Sequence, residues 1–241
     1  MFTDQSPYDV RFEWGERGLD AVSGTCGVIV IVDVFSFSTA VDVATSHGAV
    51  VFPCRMRDDA AAAFAEAQGA ILAADIRTTD QRSLSPTSLV GIEAGTRLVL
   101  PSRNGATLSV KARSHAVIVT ACLRNASAVA RFVRTQPGPV AIIGGGERWP
   151  DDTLRPAWED LIGAGAVIDG LAGTLSPEAE AARDAFRAAS SDLPQRLRAC
   201  SSGRELIERG FVGDIEIAAA FDVSQCVPVL THGAFVAVGR N

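Results

Sequence analysis

The chain has 241 residues, of which 47% are hydrophobic and 21% charged, which is enough apolar material for one or two packed domains and too much for a disordered chain. Its 22 Gly and 11 Pro are scattered without a period, which excludes a collagen-like or coiled-coil chain. Twenty-two basic against 28 acidic side chains leave a net charge of -6 with no basic stripe, so nucleic acid is not an expected partner.

The clearest predicted strand is 27–33, Gly-Val-Ile-Val-Ile-Val-Asp, whose β-branched run without polar alternation reads as central and buried on both faces. A helix follows at 38–46, a strand at 49–52 and an Ala-rich helix at 58–68, with Asp58 as N-cap and Gly69 as stop. A short strand at 70–73 leads into the polar stretch 75–88, which has no period and is long enough to be a functional loop. Strands are predicted at 97–100, 116–120 and 139–143, with helices between them. The second half is mostly helical, at 157–172, 177–189, 193–199 and 203–209, and ends in apolar segments at 227–230 and 234–238 that read as sheet-edge strands. The alternation predicts an α/β fold. The whole chain reads as one domain, with 172–176 the weakest point at which to divide two subdomains.

Cys26, Cys54, Cys122, Cys200 and Cys226 are odd in number, far apart and free of Cys-x-x-Cys spacing, which argues against a disulfide framework and a zinc site. His47, His115 and His232 show no metal spacing either. The first ten residues lack an apolar stretch of signal-peptide type, and the longest apolar run is too short to span a bilayer. A cytoplasmic protein without a membrane partner is expected, and a homodimer is allowed.

Four predicted strands run into polar turns: Asp33-Val-Phe-Ser36-Phe-Ser38, Arg103-Asn104-Gly105, Arg124-Asn125 and Gly144-Gly-Gly-Glu147-Arg148. In a parallel sheet these turns share one edge, where ligands of open α/β folds bind and helix N-termini offer free N–H groups to an anion. Ser38, Asn104 and Asn125 each also suit a plain helix N-cap. Asp33 is the most pointed residue, because a carboxylate ending a central apolar strand is costly unless it holds a cation, accepts several hydrogen bonds or does chemistry. Such a residue serves as phosphoryl nucleophile or Mg²⁺ ligand in unrelated α/β phosphatases. Glu147 sits in a glycine-rich turn. Pro156 suits the first position of a helix in which Trp158, Leu161 and Ile162 face the core, while Glu159 and Asp160 lie in the first turn.

Val32-Asp33-Val34, Leu98-Val-Leu100 leading to Asn104-Gly105, Asn125-Ala-Ser127, Glu159-Asp160-Leu161 with Gly163-Ala-Gly165, Ser202-Gly-Arg204-Glu205-Leu206 with Gly210-Phe211, and Asp222-Val-Ser224 form an ordered set. In this set the chain resembles the Mg²⁺-dependent 2-phosphosulfolactate phosphatases (ComB-type) over nearly its whole length. The resemblance implies a three-layer α/β/α fold with a mostly parallel or mixed sheet, and Mg²⁺-dependent hydrolysis of a phosphate monoester of a small anionic acid. On this reading Asp33 is nucleophile or metal ligand, and Glu147 with Glu159 or Asp160 completes the metal shell. Arg103, Arg148 and Arg155 neutralise the anionic groups, while Ser36, Ser38, Asn104, Gly105 and Asn125 contact oxygen atoms.

The family pattern carries an Arg soon after the first Asp, where this chain has Phe35-Ser36-Phe37-Ser38, and Gly-Glu-Arg-Gly-Gly near Ala74-Asp75-Ile76-Arg77-Thr78. These departures imply a divergent branch in which Glu147, Arg148 and Arg155 compensate, and a less charged substrate suited to Phe35 and Phe37. The rival reading is a non-catalytic protein that binds an anionic phospho-ligand on the same fold; another is an enzyme of different chemistry, a lyase or isomerase.

Overall fold

The computed structural model describes residues 2–56, 58–78, 80–112 and 117–238. The expected strand start at residue 116, with His115 beside it, and the capping side chain of Asp58 lie outside what is described. In chain order the elements are β1 (Val10–Trp14), α1 (Gly15–Val22), β2 (Val28–Val32), α2 (Phe37–Ser46), β3 (Val50–Cys54) and α3 (Asp58–Ala67). They continue with β4 (Ile71–Leu72), β5 (Arg97–Pro101), α4 (Gly105–Lys111), β6 (Val117–Ala121), α5 (Ala126–Val133), β7 (Val140–Gly144), β8 (Glu147–Arg148) and β9 (Leu154–Arg155). The last third holds α6 (Trp158–Asp169), α7 (Pro177–Ala189), α8 (Leu193–Ala199), α9 (Ser201–Glu208), α10 (Val212–Ala219), β10 (Val227–Thr231) and β11 (Ala234–Val238). No helix among the described residues is long and apolar enough to cross a membrane.

Nine strands form one mixed sheet in the order β1-β7-β2-β6-β10-β11-β3-β5-β4. Two parallel blocks, β1-β7-β2-β6 and β3-β5-β4, are joined by the antiparallel hairpin β10-β11. Each junction is a single residue pair, Val229 with Val119 on one side and Phe235 with Val51 on the other. The segments expected at the sheet edge therefore lie in its middle. Their alternate residues carry the reason, because Phe235 and Ala234 are both buried, into cores on opposite faces.

The alternation of β2 makes the layers. Val28, Val30 and Val32 enter a core built with α5, α6 and α7, while Ile29 and Ile31 enter a second core with α1, α2 and α4. A smaller third core under α3 takes Phe52 and Val99. At about 1.5–3 kcal/mol per fully buried large aliphatic side chain, burial on both faces makes β2 the rigid centre of the molecule. The loop after its last residue is the best-anchored place in the fold for a polar group.

Candidate active site

Asp33 follows β2 directly and is only 5% exposed. Its Oδ2 accepts a hydrogen bond from the Gly105 N–H at 2.8 Å and its Oδ1 one from the Phe37 N–H at 3.3 Å. Ser38 braces the turn from behind, its Oγ accepting from the Asp33 N–H at 2.9 Å and from Thr120 Oγ1 at 2.7 Å. Gly105 is required by this approach: a Cβ there would stand 2.3 Å from Phe37 Cδ1 and 2.9 Å from Asp33 Oδ2. Asn104 occupies the N-cap position of α4 without a side-chain capping bond, and its Oδ1 accepts instead from Arg148 Nε at 3.4 Å.

Three further carboxylates surround Asp33. Asp160 Oδ1 accepts from the Val34 N–H and its Oδ2 from the Gly146 N–H, both at 2.7 Å, so this side chain clips the glycine-rich turn to the Asp33 turn. Gly146 has φ +67°, a left-handed conformation that glycine adopts freely. Glu159 is buried beside Asp160, with the Cys200 thiol donating toward its Oε2 at 3.5 Å. Glu147 is half-buried on β8, paired in register with Arg155 on β9.

Pro156 does not open α6, which begins at Trp158 with Ala157 as N-cap. Ile162 is in the core, with Trp158 and Leu161 half-buried and packed against it as expected, and Glu159 and Asp160 of the first turn are buried as well. The backbone amides that receive Asp160 offset the cost of turning that face inward.

The electrostatics follow from burial and from like charges. Loss of water raises the pKa of Asp33, with Glu159 adding to it, while the Gly105 and Phe37 amides and the Arg77 guanidinium oppose the rise. Asp160 is raised well above the usual carboxylate range by burial and then by Asp33 and Glu159. Glu147 is pushed up to about 7, first by burial and then by Asp33, Glu159 and Glu205, with Arg155 opposing. Cys200 is pushed up to about 12, chiefly by burial, so it is an inert thiol.

Among the described residues no three His, Cys, Asp or Glu side chains are gathered into a metal cage. The donors present are nonetheless hard carboxylate oxygens, and among the described residues Asp33, Glu147, Glu159 and Asp160 have no ion pair within 4 Å. That set suits Mg²⁺, which is commonly held by one or two carboxylates together with substrate phosphate.

The arginines divide. Arg103 is 60% exposed, 3.9 Å from Asp152, and makes no contact with the cluster. Arg148 donates to Asn104 and to the Asp152 carbonyl, and Arg155 donates to Ser202 Oγ at 3.2 Å with its guanidinium 5.8 Å from the Trp149 ring centre. Arg77, absent from the predicted site, comes from the polar stretch 75–88. It donates to Ser36 Oγ at 2.6 Å and to Asp214 Oδ2 at 2.5 Å. The length and polarity of that stretch were the available signal. A guanidinium thus stands at Ser36, where the family pattern implied one had been lost. Phe35 and Phe37 are buried in core, Phe37 with its ring 6.1 Å from that of Phe235, so they do not line a gap. The case for a less charged substrate fails with them.

Asn125 takes no part in this arrangement. Its Oδ1 accepts from the Cys122 N–H at 2.9 Å and its Nδ2 donates to the Cys226 carbonyl at 3.2 Å. Next to it the Ser127 N–H and hydroxyl donate to Asp222, and Arg124 and Ser224 meet Asp42. Asn125-Ala-Ser127 and Asp222-Val-Ser224, two segments far apart in sequence, are halves of one structural clamp.

A buried carboxylate cluster at the end of a central strand, pinned by backbone amides and bordered by arginines, is the candidate active site of an enzyme on an α/β layered fold. The chain belongs to the 2-phosphosulpholactate phosphatase family, whose model matches residues 19–233. It is 31% identical over 224 residues to a probable 2-phosphosulfolactate phosphatase of Parasynechococcus marenigrum, covering 83% of this chain and 87% of that protein. It is 25% identical over 218 residues to the protein of the same name from Thermotoga maritima, covering 88% and 92%. With the Gloeobacter violaceus protein of that name it shares 32% identity over 147 residues, 61% of this chain and 60% of the relative.

Proposed function

We propose that the protein hydrolyses a phosphate monoester of a small anionic acid, as the names of its relatives suggest, and that it does so with Mg²⁺. The observation that carries this reading is the Asp33 carboxylate, buried at a strand end, fixed by the Gly105 amide and grouped with three other acids. Such a cluster favours a cationic partner. Asp33 and Glu159 would hold the ion, while Asp160, whose oxygens receive amides from two different turns, keeps those turns in register. Bound Mg²⁺ supplies charge neutralisation for the carboxylates and the phosphoryl oxygens.

Asp33 either attacks phosphorus or orients the attacking water, and its fixed amide bonds keep that oxygen aligned. Glu147, with a pKa raised to about 7, retains a proton near neutral pH and is suited to protonate the departing alkoxide. Arg148 and Arg155 border the cluster and would offset charge on the transferring group.

The test is phosphate release from a panel of phosphorylated hydroxy acids with and without Mg²⁺. Metal-dependent release is the expected result. Undiminished release after exhaustive chelation overturns the metal, and stabilisation by a phospho-acid without any release marks a binding protein instead.

A further inference from the structure

Arg77 and Ser36 hold donors that no acceptor among the described residues takes up. A guanidinium has five N–H donors. Those of Arg77 reach only Ser36 Oγ and Asp214 Oδ2, and the others meet no acceptor among the described residues. The Arg77 side chain is 11% exposed and Ser36 is buried. The Ser36 hydroxyl accepts from Arg77, and its own hydrogen meets no acceptor among the described residues. A hydroxyl shut away from water gains from an acceptor, and so does a guanidinium edge that is 11% exposed.

The Arg77 guanidinium is also held rigid. Asp214 Oδ1 accepts from Ser85 Oγ at 2.5 Å and from the Thr87 N–H at 3.1 Å, so this carboxylate is anchored to its loop independently of Arg77. The Phe211 ring covers the guanidinium, with its centre 5.6 Å away. Ser36 lies in the same turn as Asp33, and the Arg77 charge acts on Asp33. A molecule with its phosphoryl group at Asp33 therefore has these donors at the end of the same turn. A fixed guanidinium edge beside a hydroxyl matches the paired oxygens of a carboxylate or sulfonate in a way that a lysine does not.

We propose that Arg77 and Ser36 form the subsite that takes a second anionic group, carboxylate or sulfonate, on the phosphate monoester. The proposal rests on the phosphatase reading above and names where the acid group of that substrate is held. Arg77 would be the residue that separates acidic from neutral monoesters.

The test compares phosphoglycolate with ethyl phosphate, which has the same length and no carboxylate. The variants are Ser36→Ala, Arg77→Lys and the double Arg77→Met with Asp214→Asn, which removes both charges so that no buried carboxylate is left unpaired. Wild-type enzyme should favour phosphoglycolate through KM. In the double variant the KM for phosphoglycolate should rise roughly tenfold to a hundredfold with kcat little changed, and that for ethyl phosphate should stay level. Arg77→Lys should show the same selective loss, which keeps the test decisive if the double variant does not fold, and Ser36→Ala a smaller one. An equal loss on both esters, no loss on either, or no discrimination by the wild type overturns the proposal. If neither ester releases phosphate, the phosphatase reading falls, and the subsite is read from melting temperature with the same two compounds. Stronger stabilisation by phosphoglycolate, lost in the variants, supports it, and equal stabilisation overturns it.

Discussion

Asp33 and Asp42 belong to one turn-and-helix unit, both buried and both with pKa values raised by loss of water. Their surroundings differ. Asp42 receives Arg124 Nε at 2.8 Å and Ser224 Oγ at 2.6 Å, so its charge is matched within the protein. Asp33 receives two backbone amides, and the Glu147, Glu159 and Asp160 carboxylates lie around it. The pair teaches that burial of an acid says little about its role. A matched charge is a fastening, whereas a group of unmatched ones is a place prepared for a ligand.

The largest break in this comparison should come from Asp33→Asn, which removes charge and keeps shape. Phosphate release should fall by on the order of a thousandfold or more while the melting temperature holds or rises. Asp42→Asn should do the reverse, losing stability while each folded molecule keeps its turnover. An active Asp33→Asn protein would remove Asp33 from the chemistry. Arg124→Leu strands Asp42 and should cost about 3–5 kcal/mol in urea unfolding, because a buried charge loses its partner. On the other side, Gly105→Ala should cost about 1–3 kcal/mol through the clash with Phe37, and it should depress turnover as well by displacing the amide from Asp33.

The smallest effect is a pH response of the metal-free protein. Glu147 has a pKa of about 7 in the folded chain, above the value near 4.3 of an unfolded glutamate. The folded state therefore binds the proton more tightly, and the stability this gives is complete below about pH 4 and lost as pH rises through about 7. Between about pH 5 and about pH 8 the loss should be on the order of 2 kcal/mol, and smaller in Glu147→Gln. Thermal melts across that window check the sign, and a melting temperature that climbs toward pH 8 would contradict it.

Much of the sheet was readable because each strand advertised itself locally. β2 is an unbroken β-branched run, and α7 and α8 begin at Pro177 and Leu193 as their turn residues indicate. β1 was not predicted although Val10-Arg-Phe-Glu-Trp14 alternates apolar and polar residues. In the fold Arg11 is buried and satisfied by the carbonyls of Tyr8, Asp4 and Ser6 and by Thr25 Oγ1. Asp33, Gly105, Glu147, Glu159 and Asp160 were legible as a candidate site, since polar residues at strand ends and in a helix first turn stand out against apolar neighbours. Arg77 was not. Its meaning depends on Ser36 and Asp214, which are distant in sequence and come together only when loop 75–88 packs against α10. Asn125 shows the opposite error: a polar residue in the right kind of turn was spent on holding Cys122 and Cys226 in place.

The hairpin of β10 and β11 bears on how the molecule is made. The strands it separates, β6 and β3, are translated long before it, so a growing chain carries two half-sheets with bare edges until residues 227–238 arrive. Unpaired edges are where chains join wrongly to one another, and pairings this distant in sequence form slowly. The strands of this sheet that are made last are thus its keystone. Loss of them should yield aggregated protein rather than a shorter folded one.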